Sequence, residues 1–371
     1  MEFSTPDPSS YSNFLDAHVK HVDFVVLRIN FDSRTLSGKA QYTYRVHTAG
    51  TTHIVLDSRD IEITSVTDDV AGKNDIVWTF GESDDTRGSA ILVEIPEEHR
   101  EEGYEGTFVI EFQTAPTSSS IGWLTPEQTA GKVHPYMFTQ NQAIHARSMF
   151  PCQDAPGAKF TYAAAVTVQK PLTALMSANR VGEPEEAEDT RTFRFDQPVP
   201  ISAYLVALAA GELESRKIGP RTHVWSEPSV VDKAAEEFDV TEKYLQAGEK
   251  LLGPYVWGQY DLLTLPPSFP YGGMENPCLT FVTPTLLAGD KSLVDVVAHE
   301  IGHSWTGNLV TNRTWSDFWL NEGFTMMVER KITAAVHGEE VFGFKAQRGQ
   351  IHLADDVELF MKNGNPQYTK L

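Results

Sequence analysis

The chain is short of cysteine, of positive charge and of long apolar runs. Its two cysteines, Cys152 and Cys278, stand far apart and in no metal-ligand spacing, which excludes a disulfide framework and fits a reducing compartment. No apolar run approaches the ~18 residues needed to cross a bilayer. The best, residues 203–210, reads as a buried strand. The opening Met1-Glu2-Phe3-Ser4-Thr5-Pro6 has neither the basic nor the apolar region of a secretory signal, and the expected location is cytoplasmic. Lysine and arginine number 30 against 51 acidic residues, a formal net charge of -21. That sign repels phosphate backbones and anionic lipid heads, so nucleic acid and membrane are not expected partners.

What is present divides in two. A length of 371 residues exceeds one ordinary core, and two domains are the natural expectation. Residues 21–29, 40–46, 107–112 and 160–168 alternate apolar and polar with period two, the mark of half-buried strands. Many such strands with polar breaks predict an antiparallel sheet or sandwich. The pattern changes near residue 229: residues 231–252 read as one long helix stopped by Gly253-Pro254. A strand-like piece at 260–265 and a Pro/Gly-rich segment follow, and helical pattern dominates from Ser292 onward. Residues 339–363 read as one or two amphipathic helices.

His299-Glu300-Ile301-Gly302-His303 is an H-E-x-x-H pattern. Residues four apart share a helix face, so both imidazoles can reach one ion. Ser292 is placed to cap this helix, and Leu293, Val296 and Val297 supply its apolar face. Glu300 points about a quarter-turn away, where it can act on water without being a ligand. Asn321-Glu322-Gly323 opens a second helix, residues 318–336. Glu322 there completes a two-His, one-Glu set with one coordination position left open, the arrangement of a catalytic Zn²⁺ site. Glu329, two turns on, can accept the free N–H of a ligand histidine. A pair with Arg330 or Lys331 explains it equally well.

Upstream runs Pro270-Tyr271-Gly272-Gly273-Met274-Glu275-Asn276. Paired glycines allow close backbone approach, so this segment can hydrogen-bond an extended peptide as an added strand. Glu275 is placed to capture a peptide's α-amine, which makes an exopeptidase of a general peptidase.

These three motifs, in this order, resemble the gluzincin zinc aminopeptidase family. The runs 219–227, 253–261, 265–292 and 304–312 are similar to a bifunctional branch of it that also opens lipid epoxides. The resemblance implies an N-terminal β saddle domain, residues 1–213, and a thermolysin-like catalytic domain, residues 214–371. It implies that His299, His303 and Glu322 hold one zinc and that Glu300 is the general base. Glu275 would bind the α-amine, residues 270–275 would line the channel, and Gln140 and Gln142, in a Q-x-Q-A segment, would flank the N-terminal residue, Gln142 more closely. Trp315 and Phe318 resemble aromatics of an apolar pocket, although core packing accounts for them as well. Family members continue into an oxyanion-stabilising tyrosine and a helical C-terminal domain. Here both would lie beyond Leu371, so the chain resembles a fragment, slow or inactive as it stands. The expected partners are short peptides with a free N-terminus and, for the full-length protein, a lipid epoxide, met by a monomer. A peptide-binding module without turnover and an endopeptidase are the rival readings; the intact Glu300 opposes the first and Glu275 the second.

Overall fold

The computed structural model describes residues 7–369; the readings of the first six and last two residues lie outside them. The described residues form four sheets and five α-helices: α1 (Val231–Glu237), α2 (Thr241–Leu252), α3 (Asp295–His303), α4 (Trp319–His337) and α5 (Glu339–Lys362). None of these helices is long and apolar enough to cross a membrane.

The alternating segments of the first half become strands. Ala17–Asn30 and Thr35–Val46 pair antiparallel at the centre of an eight-stranded sheet. Along the first of them Val19, Val22, Phe24, Leu27 and Ile29 are buried, and bulges after Val19 and Phe24 shift the inward set as the strand bends. One feature departs from the antiparallel expectation. Ala17–Asn30 runs parallel to Lys159–Gln169, because more than a hundred residues of chain intervene and leave a crossover free to set either direction. A three-stranded sheet (His53–Ser58, Gly88–Glu94, Trp78–Asp84) and a four-stranded one (Thr173–Met176, Leu208–Gly211, Tyr136–Thr139, Ile121–Leu124) complete this half.

Residues 203–210 are buried, as expected, but only their end is a strand; Ala203–Leu205 is a 3-10 turn. Nor is 231–252 one helix. Phe238-Asp239-Val240 breaks it, with the Thr241 hydroxyl donating to the Phe238 carbonyl at 2.6 Å. Phe238 is fully buried, and the turn drives its ring into the core where a continuous helix would carry it past. Ser292 does not cap α3, which begins three residues later at Asp295, and Leu293 is exposed; the buried face of the helix is Val297, Ala298 and Ile301.

The second half is built on a mixed five-stranded sheet. Its order is Glu214–Lys217, His223–Ser226, Asp261–Thr264, Leu279–Val282 and Gly273–Met274, so Gly273–Met274 is an edge strand. The two halves share one buried apolar cluster, from Ala17 to Ile332. Polar ties cross between them. Lys159 Nζ donates to the Asn308 carbonyl at 2.9 Å, and the Asp7 carboxylate accepts the Trp315 N–H at 3.2 Å. Trp315 itself packs edge-on against Tyr204, ring centres 5.1 Å apart, and lies tilted against Phe318 at 5.3 Å. At the far end α5 has no buried residue, and Phe344, Ile351, Leu353 and Met361 are exposed along it.

Candidate metal centre

Helices α3 and α4 carry the centre, and a glycine sets their spacing. A Cβ on Gly302 would stand 3.2 Å from both Thr325 Cγ2 and Val328 Cγ1, closer than most real contacts. Its absence lets α4 approach α3 until the acid on one faces the imidazoles on the other.

There His299 Nε2 and His303 Nε2 lie 3.1 Å apart. Glu322 places Oε2 at 3.4 Å from the first and Oε1 at 3.6 Å from the second. The outer nitrogens are occupied. His303 Nδ1 is 3.1 Å from the Thr306 carbonyl and 3.0 Å from Thr325 Oγ1, and His299 Nδ1 is 3.3 Å from Glu329 Oε2. A carbonyl or carboxylate only accepts, so each ring carries its proton on Nδ1 and turns a lone pair inward. Their inner nitrogens and the Glu322 carboxylate then converge on one point. That arrangement calls for a cation. A tetrahedral zinc with ligands at ~2.0–2.1 Å needs nitrogens about 3.3 Å apart, close to the spacing here, so the donor set suits this ion. A proton can serve these groups in a cation's place, and the titration shows the pull on positive charge. Burial alone would depress His299, but Glu322 and Glu329 beside it hold it up at about 10. Burial works against charge on Glu322 too, yet its bonds to the two histidines hold it well below the usual carboxylate range.

Glu300 is 5% exposed and burial pushes it up to about 7, where a carboxyl both takes and returns protons near neutrality. It is accommodated by Gly273: a Cβ there would meet Glu300 Oε1 at 2.2 Å. The edge strand can pass over the base only because this residue has no side chain.

Glu275 follows that strand. It is 4% exposed, burial raises its pKa, and its Oε1 has no hydrogen-bond partner. Its ligand atom lies within 4.8 Å of those of Glu300 and His303. These three could in principle hold an ion as well. His303 has only one free nitrogen, however, and two imidazoles with one acid make the better zinc set. Gln140 Nε2 donates to Met274 Sδ at 3.1 Å, leaving its Oε1 buried and unpartnered. Gln142 is half-buried, and its side chain makes no hydrogen bond to residues 270–275 among the described residues. Pro270, Tyr271 and Gly272 are exposed just before the strand. Glu329 pairs with neither Arg330 nor Lys331; Lys345 Nζ reaches its Oε1 at 2.7 Å.

Sequence reasoning passed over Thr306, Thr325 and Lys345. Thr325 was within reach: it lies one turn beyond Glu322 on the same face of α4. Thr306 acts through its backbone, and Lys345 depends on how α5 packs, so neither leaves a local signal.

A β half thus feeds a mixed sheet that carries a two-helix His-His-Glu cluster beside an edge strand. The chain belongs to peptidase family M1. Residues 7–205 match the Peptidase M1 N-terminal domain and residues 232–362 the Peptidase family M1 domain. Among relatives, leukotriene A-4 hydrolase of Xenopus laevis is 49% identical over 356 residues, covering 95% of this chain and 58% of that protein. Leucine aminopeptidase 2 of Yarrowia lipolytica is 43% identical over 98% of this chain and 55% of its own length. Human aminopeptidase B is 48% identical over 73% of this chain and 41% of its own length. The solved structure of yeast LTA4 hydrolase in complex with bestatin superposes with a TM-score of 0.86 at 38% identity, covering 96% of this chain and 54% of that one. The chain thus spans about half the length of these relatives.

Proposed function

We propose that the chain carries the zinc and amine-binding sites of an aminopeptidase that removes N-terminal residues from short peptides. The observation that supports this most is the buried Glu275 carboxylate, one oxygen of which has no partner, within reach of Glu300 and His303. An acceptor there calls for a cation with hydrogens to give, and a peptide's α-ammonium has three. A base one residue away then addresses the first peptide bond and no other.

His299, His303 and Glu322 would hold the metal, with Glu329 and Thr306 fixing the two rings. Bound zinc supplies Lewis acidity, acidifying water and polarising a carbonyl. Glu300 takes the proton from the attacking water and hands it to the leaving amine. Gly273–Met274, at the sheet edge, offers backbone groups to a substrate laid alongside as a further strand. Pro270, Tyr271 and Gly272 line its approach, and Gln140 and Gln142 flank its first residue. We set the domain junction between residues 213 and 214. A cytoplasmic setting is in keeping with two free, buried cysteines.

The test needs no turnover. Elemental analysis should find zinc in the chain. The zinc-loaded chain should bind an amino-acid hydroxamate ~10–100-fold more tightly than its N-acetyl form, as a charged hydrogen bond implies, and Glu275→Gln should erase the preference. Equal binding of both forms by the unaltered chain would sink the amine site.

A further inference from the structure

We infer that Lys345 is a positioning residue for the metal centre, holding Glu329 in the orientation that fixes His299. The inference rests on the zinc reading above and extends it to a helix that otherwise lies outside the site. Nothing on α5 is buried, yet Lys345 turns inward with its side chain only 17% exposed. Its Nζ sits 2.7 Å from Glu329 Oε1 and 2.7 Å from Asp295 Oδ2. The second oxygen of Glu329 faces His299 Nδ1 at 3.3 Å. One ammonium therefore ties three helices: α5 supplies it, α4 supplies Glu329, and α3 supplies both Asp295 and the ligand histidine.

The geometry gives the tie a specific task. Asp295 and Glu329 touch the same ammonium, so they are close neighbours of like charge. Without Lys345 between them they repel, and Glu329, on the longer stem, is the one free to swing. The carboxylate that swings is the one orienting the ring. Losing an outer partner of a metal-bound histidine typically weakens metal binding 10–100-fold. Charge alone has the opposite sign, since taking a positive group away from a dication should tighten its binding. The sign of the change therefore separates positioning from bulk electrostatics.

The experiment measures the zinc dissociation constant of the 371-residue chain by competition with a chromophoric chelator. The visible spectrum of its cobalt-substituted form is recorded as a second readout. Lys345→Met should weaken zinc about tenfold and alter the cobalt spectrum. Lys345→Arg, which keeps the charge and the reach, should restore both. Lys345→Met combined with Asp295→Asn should recover most of the loss, because the repelling neighbour is gone. Lys362→Met, at an exposed pair with Glu358 on the same helix, should change nothing. Should Lys345→Met not fold, Lys345→Gln carries the same expectation. Unchanged or tighter zinc in the folded Lys345 variant would overturn the inference, as would a loss that Asp295→Asn fails to relieve. If the unaltered chain takes up no zinc, the metal reading itself falls and this inference falls with it.

Discussion

Two groups of buried charge, one in each half, are put together in opposite ways. In the β half Arg147, Asp57 and Asp154 are fully or almost fully buried, and none of their side-chain atoms is left buried without a partner. Arg147 Nε donates to Asp154 Oδ2 at 2.8 Å, Nη1 to the Arg87 carbonyl at 2.9 Å and Nη2 to the Asp154 carbonyl at 3.1 Å. Asp57 accepts from the Tyr11 N–H at 2.7 Å, the Ser10 hydroxyl at 2.6 Å and the Asp154 N–H at 3.0 Å. In the second half His299, His303 and Glu322 converge on one point, and Glu275 has an oxygen with no partner at all. The first group is closed and holds the fold. The second leaves acceptors that a cation would satisfy. Burial of charge alone does not mark a site; acceptors left without donors do.

Substitutions in each group should fail differently. The largest effect is expected from Glu300→Gln, which should lower such turnover of an aminoacyl anilide as the chain shows by ~10²–10⁴ while zinc content and melting temperature hold. More than a tenth of the activity surviving would remove Glu300 from the chemistry. Arg147→Met comes next. It strands two buried carboxylates and should cost about 3–5 kcal/mol of stability in denaturant unfolding, with zinc per folded chain unchanged. A cost below ~1 kcal/mol would mean that the closed group is not closed. Gly273→Ala is the smallest. The added methyl collides with Glu300 and should cost roughly 1–3 kcal/mol, but little in a Glu300→Ala background. Strictly additive costs would show that the strand and the base do not touch.

The convergence of His299, His303 and Glu322 was legible because its information is local. The helix period puts His299 and His303 on one face, and Glu322 opens the next helix after a short loop. The glycines of residues 272–273 announced close approach, although only the structure shows that Glu300 is what approaches. The closed group was illegible for the opposite reason. Residues 10, 11 and 154 come from loops and 147 from a 3-10 turn to reach Asp57 on a strand, at separations no periodicity encodes. The break at 238–240 lay between. Asp239, Val240 and Thr241 are weak helix formers, but what settles it is the burial of Phe238, a tertiary matter. The parallel pairing of the first strand likewise depends on a distant partner.

The amino-terminal stretch has a practical consequence. Asp7 is bonded to the backbone of Trp315, four residues ahead of α4, while Ser10 and Tyr11 plug into Asp57. A shortened version starting at residue 13 would touch no ligand, yet it would release the strap that steadies the approach to the helix bearing Glu322. Trimming for crystallisation or tagging should therefore stop short of residue 7, since a cut made for convenience in the β half would be felt as looser metal in the other.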